Sequence, residues 1–280
     1  MRIELAGRNP LRRRELKADY HEDKGNLVLD ARGLRWVSPL EVAAMVLMGT
    51  DGATRGREVR LLLPHDPKVA SYLVRMNVVE LLAPVAEVDG TIPDQHRRDH
   101  SDTLMEVTEV TPANVEQLGD KLGAMVTASL GRTAGRAAFR SLGELLGNAT
   151  THGLSASGAF TAAQLYTGAL SRTPGFEFAV CDAGCGILDG LRVTSGQHHL
   201  DGPAALERAL DGVAGSPQGR GHGLSSLWAH AMHNGNGGEL MLRSSGAIAT
   251  VKLREQPTRI CSTVATTTGG TWVWLRVRVL

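Results

Sequence analysis

The sequence predicts an α/β protein of two units. A small strand–helix–strand–helix unit with parallel pairing comes first, and an α+β sandwich with helices on one face of a mixed sheet follows. Three observations predict this. Residues 26–82 alternate short apolar runs with segments of helical period. Residues 84–113 break that rhythm with Pro, Asp, His and Arg. Residues 114–280 then give two helices, a pair of strands, a long glycine-rich stretch, another helix and three final strands. The expected division is 1–93 for the first unit, 94–113 for a linker and 114–280 for the second.

Taken in order, the basic opening (Arg12, Arg13, Arg14) reads as a solvated surface. NLVLDARGLRWV reads as a buried strand and turn. Ser38 suits a helix N-cap and Pro39 the first helical position, and Val42, Ala43, Val46 and Leu47 follow at helical spacing. A strand at 58–63 closes at Pro64, a helix spans 67–76, and the apolar Val78, Val79, Leu81 and Leu82 come next. Beyond the expected linker, Val115, Leu118, Leu122 and Val126 mark a helix that stops at Gly131. A second helix from about 133 ends at Gly153. Strands are expected at 159–170 and 176–181, a short helix at 203–210, a helix at 223–233 stopped by HNGNGG, and strands at 239–243, 248–254 and 272–279.

Composition narrows the function classes. The 280 residues are 42% hydrophobic, 21% charged and only 4% aromatic, with 33 glycines, so the core should be Leu, Val and Ala. Lys+Arg of 30 against Asp+Glu of 29 leaves a formal net charge of +1, which gives no support to nucleic-acid binding by bulk charge. No apolar run approaches membrane-spanning length and the N-terminus lacks a signal-peptide core, so a cytoplasmic protein without a membrane partner is expected. Cys181, Cys185 and Cys261 fit reduced thiols, and no further Cys or His follows at metal-site spacing.

The helix over 141–153, SLGELLGNATTHG, carries the first candidate site. Glu144, Asn148 and His152 recur every four residues and share one face, while Leu142, Leu145, Leu146 and Ala149 lie on others. Gly143 and Gly147 should let the backbone approach whatever lies against the polar row. Two glycine-rich motifs follow. Asp182-Ala183-Gly184-Cys185-Gly186-Ile187 comes directly after an apolar strand: a buried carboxylate there can accept from an exocyclic amine, and the glycines admit a flat base. Gly219-Arg220-Gly221-His222-Gly223-Leu224 leads into a helix whose N-terminal N–H groups can hold phosphate oxygens. Neither motif has the spacing of a Walker loop or of the dinucleotide fingerprint.

Together, the helix with Glu, Asn and His-Gly, the strand with DxGxG, the long loop and the GxGxGL before a helix resemble the GHKL ATPase superfamily. That superfamily includes the sensor histidine kinases, gyrase B and the anti-sigma-factor serine kinases, and its nucleotide-binding module is the Bergerat fold. The resemblance spans about 118–280 and is nearest the anti-sigma branch. It implies ATP and Mg²⁺ as ligands, with Glu144 as the general base and Asn148 as the metal ligand. His152 would close the same helix near the nucleotide. Asp182, Gly184, Gly186 and Ile187 would form the adenine box, and Gly219, Arg220, Gly221, His222, Gly223 and Leu224 the phosphate box. Thr271 would assist adenine recognition, and 188–218 would be a lid with exposed His198, His199 and Asp201.

LVLDARGLRWVSPLEVAAMVLM, RLLLP and VASYLVRMNVVELL, within 26–82, resemble a STAS domain of the anti-sigma-factor-antagonist kind. Antagonists carry a phosphorylatable Ser just before the helix. Here Pro39 takes that place and Ser38 lies one residue earlier, so the unit is expected to dock or regulate rather than to be phosphorylated. The implied function is that of a serine/threonine-kinase-like component of partner switching, acting on a protein such as a sigma-factor regulator. Two alternatives stand beside it: a non-catalytic ATP-dependent switch that binds a protein partner, and an ATP-consuming enzyme acting on a small molecule. A histidine kinase is disfavoured, because no helix hairpin with a phosphoacceptor His precedes the ATPase region. A homodimer is left open.

Overall fold

The computed structural model describes residues 1–13, 17–19, 25–94, 102–151, 156–166, 174–196, 198–211, 237–253, 258–264 and 269–278. The first part of the chain gives β1 (Arg2–Glu4), β2 (Gly7–Arg8), β3 (Lys17–Asp19), β4 (Leu27–Asp30), β5 (Leu34–Trp36), α1 (Pro39–Thr54), β6 (Val59–Leu62), α2 (Pro67–Arg75), α3 (Val78–Leu82) and β7 (Glu87–Asp89). The rest gives β8 (Leu104–Glu109), α4 (Val115–Leu130), α5 (Arg132–Thr151), β9 (Ala159–Tyr166), β10 (Gly175–Asp182), α6 (Gly186–Ser195), α7 (Gly202–Leu210), β11 (Gly238–Ser244), β12 (Ala247–Leu253), β13 (Thr258–Thr263) and β14 (Thr271–Arg278). The architecture is mixed α/β. No helix among the described residues is long and apolar enough to cross a membrane.

The first unit forms a five-stranded sheet in the order β3-β1-β4-β6-β7. The expected parallel pairing is present from β1 through β4 and β6 to β7, and β3 is the one antiparallel edge. The second sheet has seven strands in the order β13-β12-β11-β14-β10-β9-β8. Here the expectation of a mixed sheet is corrected, since every pairing is antiparallel. The last strand, β14, enters between β10 and β11 and runs opposite to both.

The expected linker at 94–113 is corrected as well, because it contains β8, one of the two edge strands of the seven-stranded sheet. Leu104, Met105 and Val107 of β8 are buried, and the Val107 N–H donates to the Met76 carbonyl at 3.2 Å, tying this edge to the first unit. The expected lid begins instead with a second helix, α6. Leu191 of α6 and Ala205, Leu206, Ala209 and Leu210 of α7 are buried, while His198, His199 and Asp201 are exposed as expected. Asp201 caps α7, accepting from the Ala204 N–H at 2.9 Å.

Two cores sit on the two faces of the seven-stranded sheet. On one, Leu118, Leu122 and Val126 of α4 and Leu142, Leu145 and Leu146 of α5 pack over Phe176, Phe178, Leu240 and Leu275. On the other, Phe160, Ala179, Met241, Trp272 and Trp274 share a core with α1 and with Leu27, Leu29 and Leu61 of the first sheet. Helix α1 therefore lies between two sheets, and every residue from Pro39 to Leu47 is buried. A helix apolar on all sides is the sequence form such a position requires. Gly49 and Gly52 permit the close approach, since a Cβ built on them would stand 2.4 Å from Leu82 Cδ2 and 2.6 Å from Leu27 Cδ2.

The start of α1 is a capping box. The Ser38 hydroxyl and backbone N–H both donate to Glu41 Oε2, and both side chains are wholly buried. The Ser38 hydroxyl is thus sealed beneath the second sheet. Arg12 is not the solvated residue that the basic opening suggested. It is half-buried, its guanidinium lies 4.1 Å from the centre of the Trp274 ring, and its charge acts on the buried carboxyls of Glu41 and Glu177. Stacking on an indole lets a guanidinium enter where an ammonium would stay hydrated.

Candidate functional site

Three strand ends meet at one end of the seven-stranded sheet. Asp182 closes β10, Thr271 opens β14 and Ser244 closes β11. Register brings them side by side: Cys181 pairs with Trp272, Ser244 with Thr271, and Asp182 with Ala159 of β9. The strand sequence AVCD keeps the chain buried up to this point, so the carboxylate emerges from the core rather than from solvent.

Asp182 is 8% exposed. Its Oδ1 accepts two backbone N–H groups, from Gly184 at 2.9 Å and from Thr271 at 3.2 Å. Its other oxygen has no hydrogen-bond partner among the described residues. Burial pushes the carboxyl up to about 6, and the Gly184 and Thr271 N–H groups pull it back down. The neighbouring Cys181 thiol is fully buried and pushed well up by the same desolvation, so it is no nucleophile. The site thus offers one buried acceptor whose orientation is set by its own backbone.

Ser244 is the hub beside it, and sequence reasoning missed it. Its hydroxyl donates to the Gly270 carbonyl at 2.8 Å, accepts from the Ile187 N–H at 2.9 Å and lies 3.1 Å from Thr271 Oγ1. Ser245 Oγ takes the Leu188 N–H at 3.4 Å. The two serines therefore satisfy orphan donors in the first turn of α6. The available signal was the SSG between two apolar strands, which reads as a plain turn. Gly186 (φ +79°) fits because a Cβ there would stand 2.6 Å from Ser245 Oγ and 2.8 Å from Ser244 Oγ.

The structure thus joins Asp182, Gly184, Gly186, Ile187 and Thr271 in one cluster, and Ile187 also packs against the adjoining core. Glu144 and Asn148 are both exposed on α5, whose other side enters the core through Leu142, Leu145, Leu146 and Ala149. They share a face as expected, but neither is hydrogen-bonded to the Asp182 cluster. Gly143 does meet a close neighbour on the α4 side, since a Cβ on Gly119 would stand 4.0 Å from its Cα, while Cβ atoms at Gly143 and Gly147 would meet nothing within 4 Å among the described residues. His152 and the second glycine motif, Gly219, Arg220, Gly221, His222, Gly223 and Leu224, lie outside the described residues, as does the helix expected at 223–233. No group of three or more metal-binding side chains occurs among the described residues. No protein-family model matches this chain and no curated protein matches it, which leaves the residues of the site to carry the functional reading.

Proposed function

We propose that residues 114–280 form a GHKL-type module that binds ATP with Mg²⁺, joined to a STAS-like regulatory unit. In this reading the chain acts on a protein partner as a serine/threonine-kinase-like component of partner switching. One observation carries the nucleotide reading. Asp182 is a buried carboxylate with one oxygen saturated by backbone N–H groups and the other left to accept, which suits the exocyclic amine of adenine. The glycines beside it serve close packing, Gly186 against Ser244 and Ser245 and Gly270 against the Asp182 carbonyl.

The remaining roles follow from side-chain chemistry. Asn148 offers a neutral oxygen suited to a metal that takes most of its ligands from phosphates and water. Glu144, one turn earlier on the same exposed face, would orient a water or hydroxyl and accept its proton in this reading. When bound, ATP with Mg²⁺ supplies the transferable phosphoryl group and the cation that offsets its charge. Few liganding side chains are then needed.

Isothermal titration with ATP and Mg²⁺ tests the reading. The wild type should bind, Asp182→Ala and Asn148→Ala should not, and Glu144→Ala should bind without turnover. A wild type that takes up no ATP overturns the proposal. Labelled ATP, incubated with and without candidate proteins, separates transfer from a switch that only binds.

A further inference from the structure

Asp182 lies between two strand neighbours, Ala159 of β9 and Thr271 of β14, and the C-terminal end of α1 meets the chain two residues ahead of each, by a hydrogen bond at Ser157 and by packing at Gly269. Asp51 of α1 accepts the Ser157 hydroxyl on Oδ1 at 2.8 Å and pairs through Oδ2 with Arg55 Nε at 2.8 Å. The Arg55 guanidinium in turn reaches Gly269, where a Cβ would stand 3.7 Å from Nη2 and 3.9 Å from the Ala183 carbonyl. Ser157 is buried and belongs to the connection between α5, which carries Glu144 and Asn148, and β9. Gly269 opens the turn that delivers Gly270 and Thr271 to Asp182. The Asp51 carboxylate is thus hydrogen-bonded to the segment on one side of the buried acceptor, and the Arg55 guanidinium that it holds packs beside the segment on the other.

From this geometry we propose that Asp51 and Arg55 are positioning residues of the nucleotide site, so that the first unit forms part of that site's frame. The inference rests on the ATP reading for the identity of the ligand, but the clamp is a property of the protein alone. Helix α1 is packed between the two sheets along most of its length, so it cannot shift at one end without shifting at the other. A partner that engages the first unit and displaces α1 would move Asp51, and with it the backbone on both sides of Asp182. The coupling runs equally in reverse, and ATP should tighten the packing of α1.

The test uses the full chain with Asp51→Ala, Ser157→Ala, the double variant and Ser157→Thr. Hydrogen bonds to a charged group support a loss of roughly tenfold in ATP affinity for each single variant. The double variant should be no worse than Asp51→Ala alone, because Ser157 acts only through Asp51, and Ser157→Thr should bind like the wild type. Unfolding midpoints in urea should fall far less than affinity does. Amide hydrogen exchange in the ligand-free protein supplies a second readout: protection at 156–159 and 269–271 should fall together in Asp51→Ala. Wild-type affinity in Asp51→Ala, additive losses in the double variant, or unchanged protection at 269–271 would each overturn the clamp. If the wild type binds no ATP while protection falls as expected, the ATP reading fails and the clamp stands.

Discussion

Gly270 and Asp182 meet through their backbones: a Cβ built on Gly270 would stand 1.9 Å from the Asp182 carbonyl oxygen, and Gly270 has a φ of +72°. Steric exclusion and left-handed backbone reserve this position for glycine. Gly270→Ala should lower stability by more than about 2 kcal/mol, seen as a lower urea midpoint, and should remove ATP binding. An alanine variant with the wild-type midpoint would show that the two strand ends do not meet this way.

The Asp182 carboxyl has an ordinary value of 3.8 and sits at about 6 in the fold. Because the folded value is the higher one, its contribution to stability is full below the unfolded value and is lost as pH rises through about 6. A difference of about 2 pH units corresponds to about 3 kcal/mol at most. Asp182→Asn keeps an acceptor for the Gly184 and Thr271 N–H groups and removes the charge. Its stability relative to the wild type should therefore climb between pH 4 and pH 7 and then level off, as urea titrations at several pH values would show. The same variant places an amide N–H where adenine also donates, so ATP binding should fall sharply.

Arg12 sets a second pH signature. Burial raises the Glu41 and Glu177 carboxyls, and the Arg12 charge opposes that rise at both. Arg276 also pairs with Glu177, at 3.2 Å. Arg12→Ala removes the cation and its stack on Trp274, with an expected loss of about 1–3 kcal/mol for a half-buried partner. The deficit should grow as pH rises, since ionised Glu41 and Glu177 lose a compensating charge, and should shrink in acid where both are neutral. A pH-independent deficit would assign Arg12 a packing role alone.

The shared core predicts how the chain unfolds. Trp272 and Trp274 of the second sheet and Leu40, Met45 and Leu47 of α1 are all nearly inaccessible within one cluster. Tryptophan fluorescence and far-ultraviolet circular dichroism should report the same urea midpoint, as one cooperative transition. Residues 102–280 alone should expose the tryptophan face and bind a hydrophobic dye. Trp274→Ala should cost about 3–5 kcal/mol. Two separated transitions in the intact chain would mean that the units fold independently.

Much of the local structure was legible. Ser38-Pro39 announced the start of α1, the spacing of Leu118, Leu122 and Val126 announced α4, and the alternation around LVLD and VRLL gave β4 and β6 with their parallel pairing. Short elements escaped. β1 buries only Ile3, β13 is exposed along much of its length, and β8 lay inside a polar stretch, so none offered enough apolar periodicity to stand out. In the site, Asp182 and its glycines were visible because a DxGxG motif directly after an apolar strand can be read from adjacent residues. Ser244 was not, because a serine in a turn acquires meaning only from the strands that fold beside it.

The sequence by itself determined the α/β class, most helix and strand positions, and the polar groups on which the proposed function rests, Glu144, Asn148 and Asp182 among them. These follow from local rules of period, capping and turn preference, which act over a few residues. Only the tertiary structure decided that α1 lies between two sheets, that the second sheet is antiparallel throughout, and that Arg12 enters the interior. It alone brought Asp51, Ser157 and Gly269 to the two sides of Asp182. Those relations join residues more than a hundred positions apart, and packing selects them because a buried charge or hydroxyl must find its partner wherever the chain supplies one.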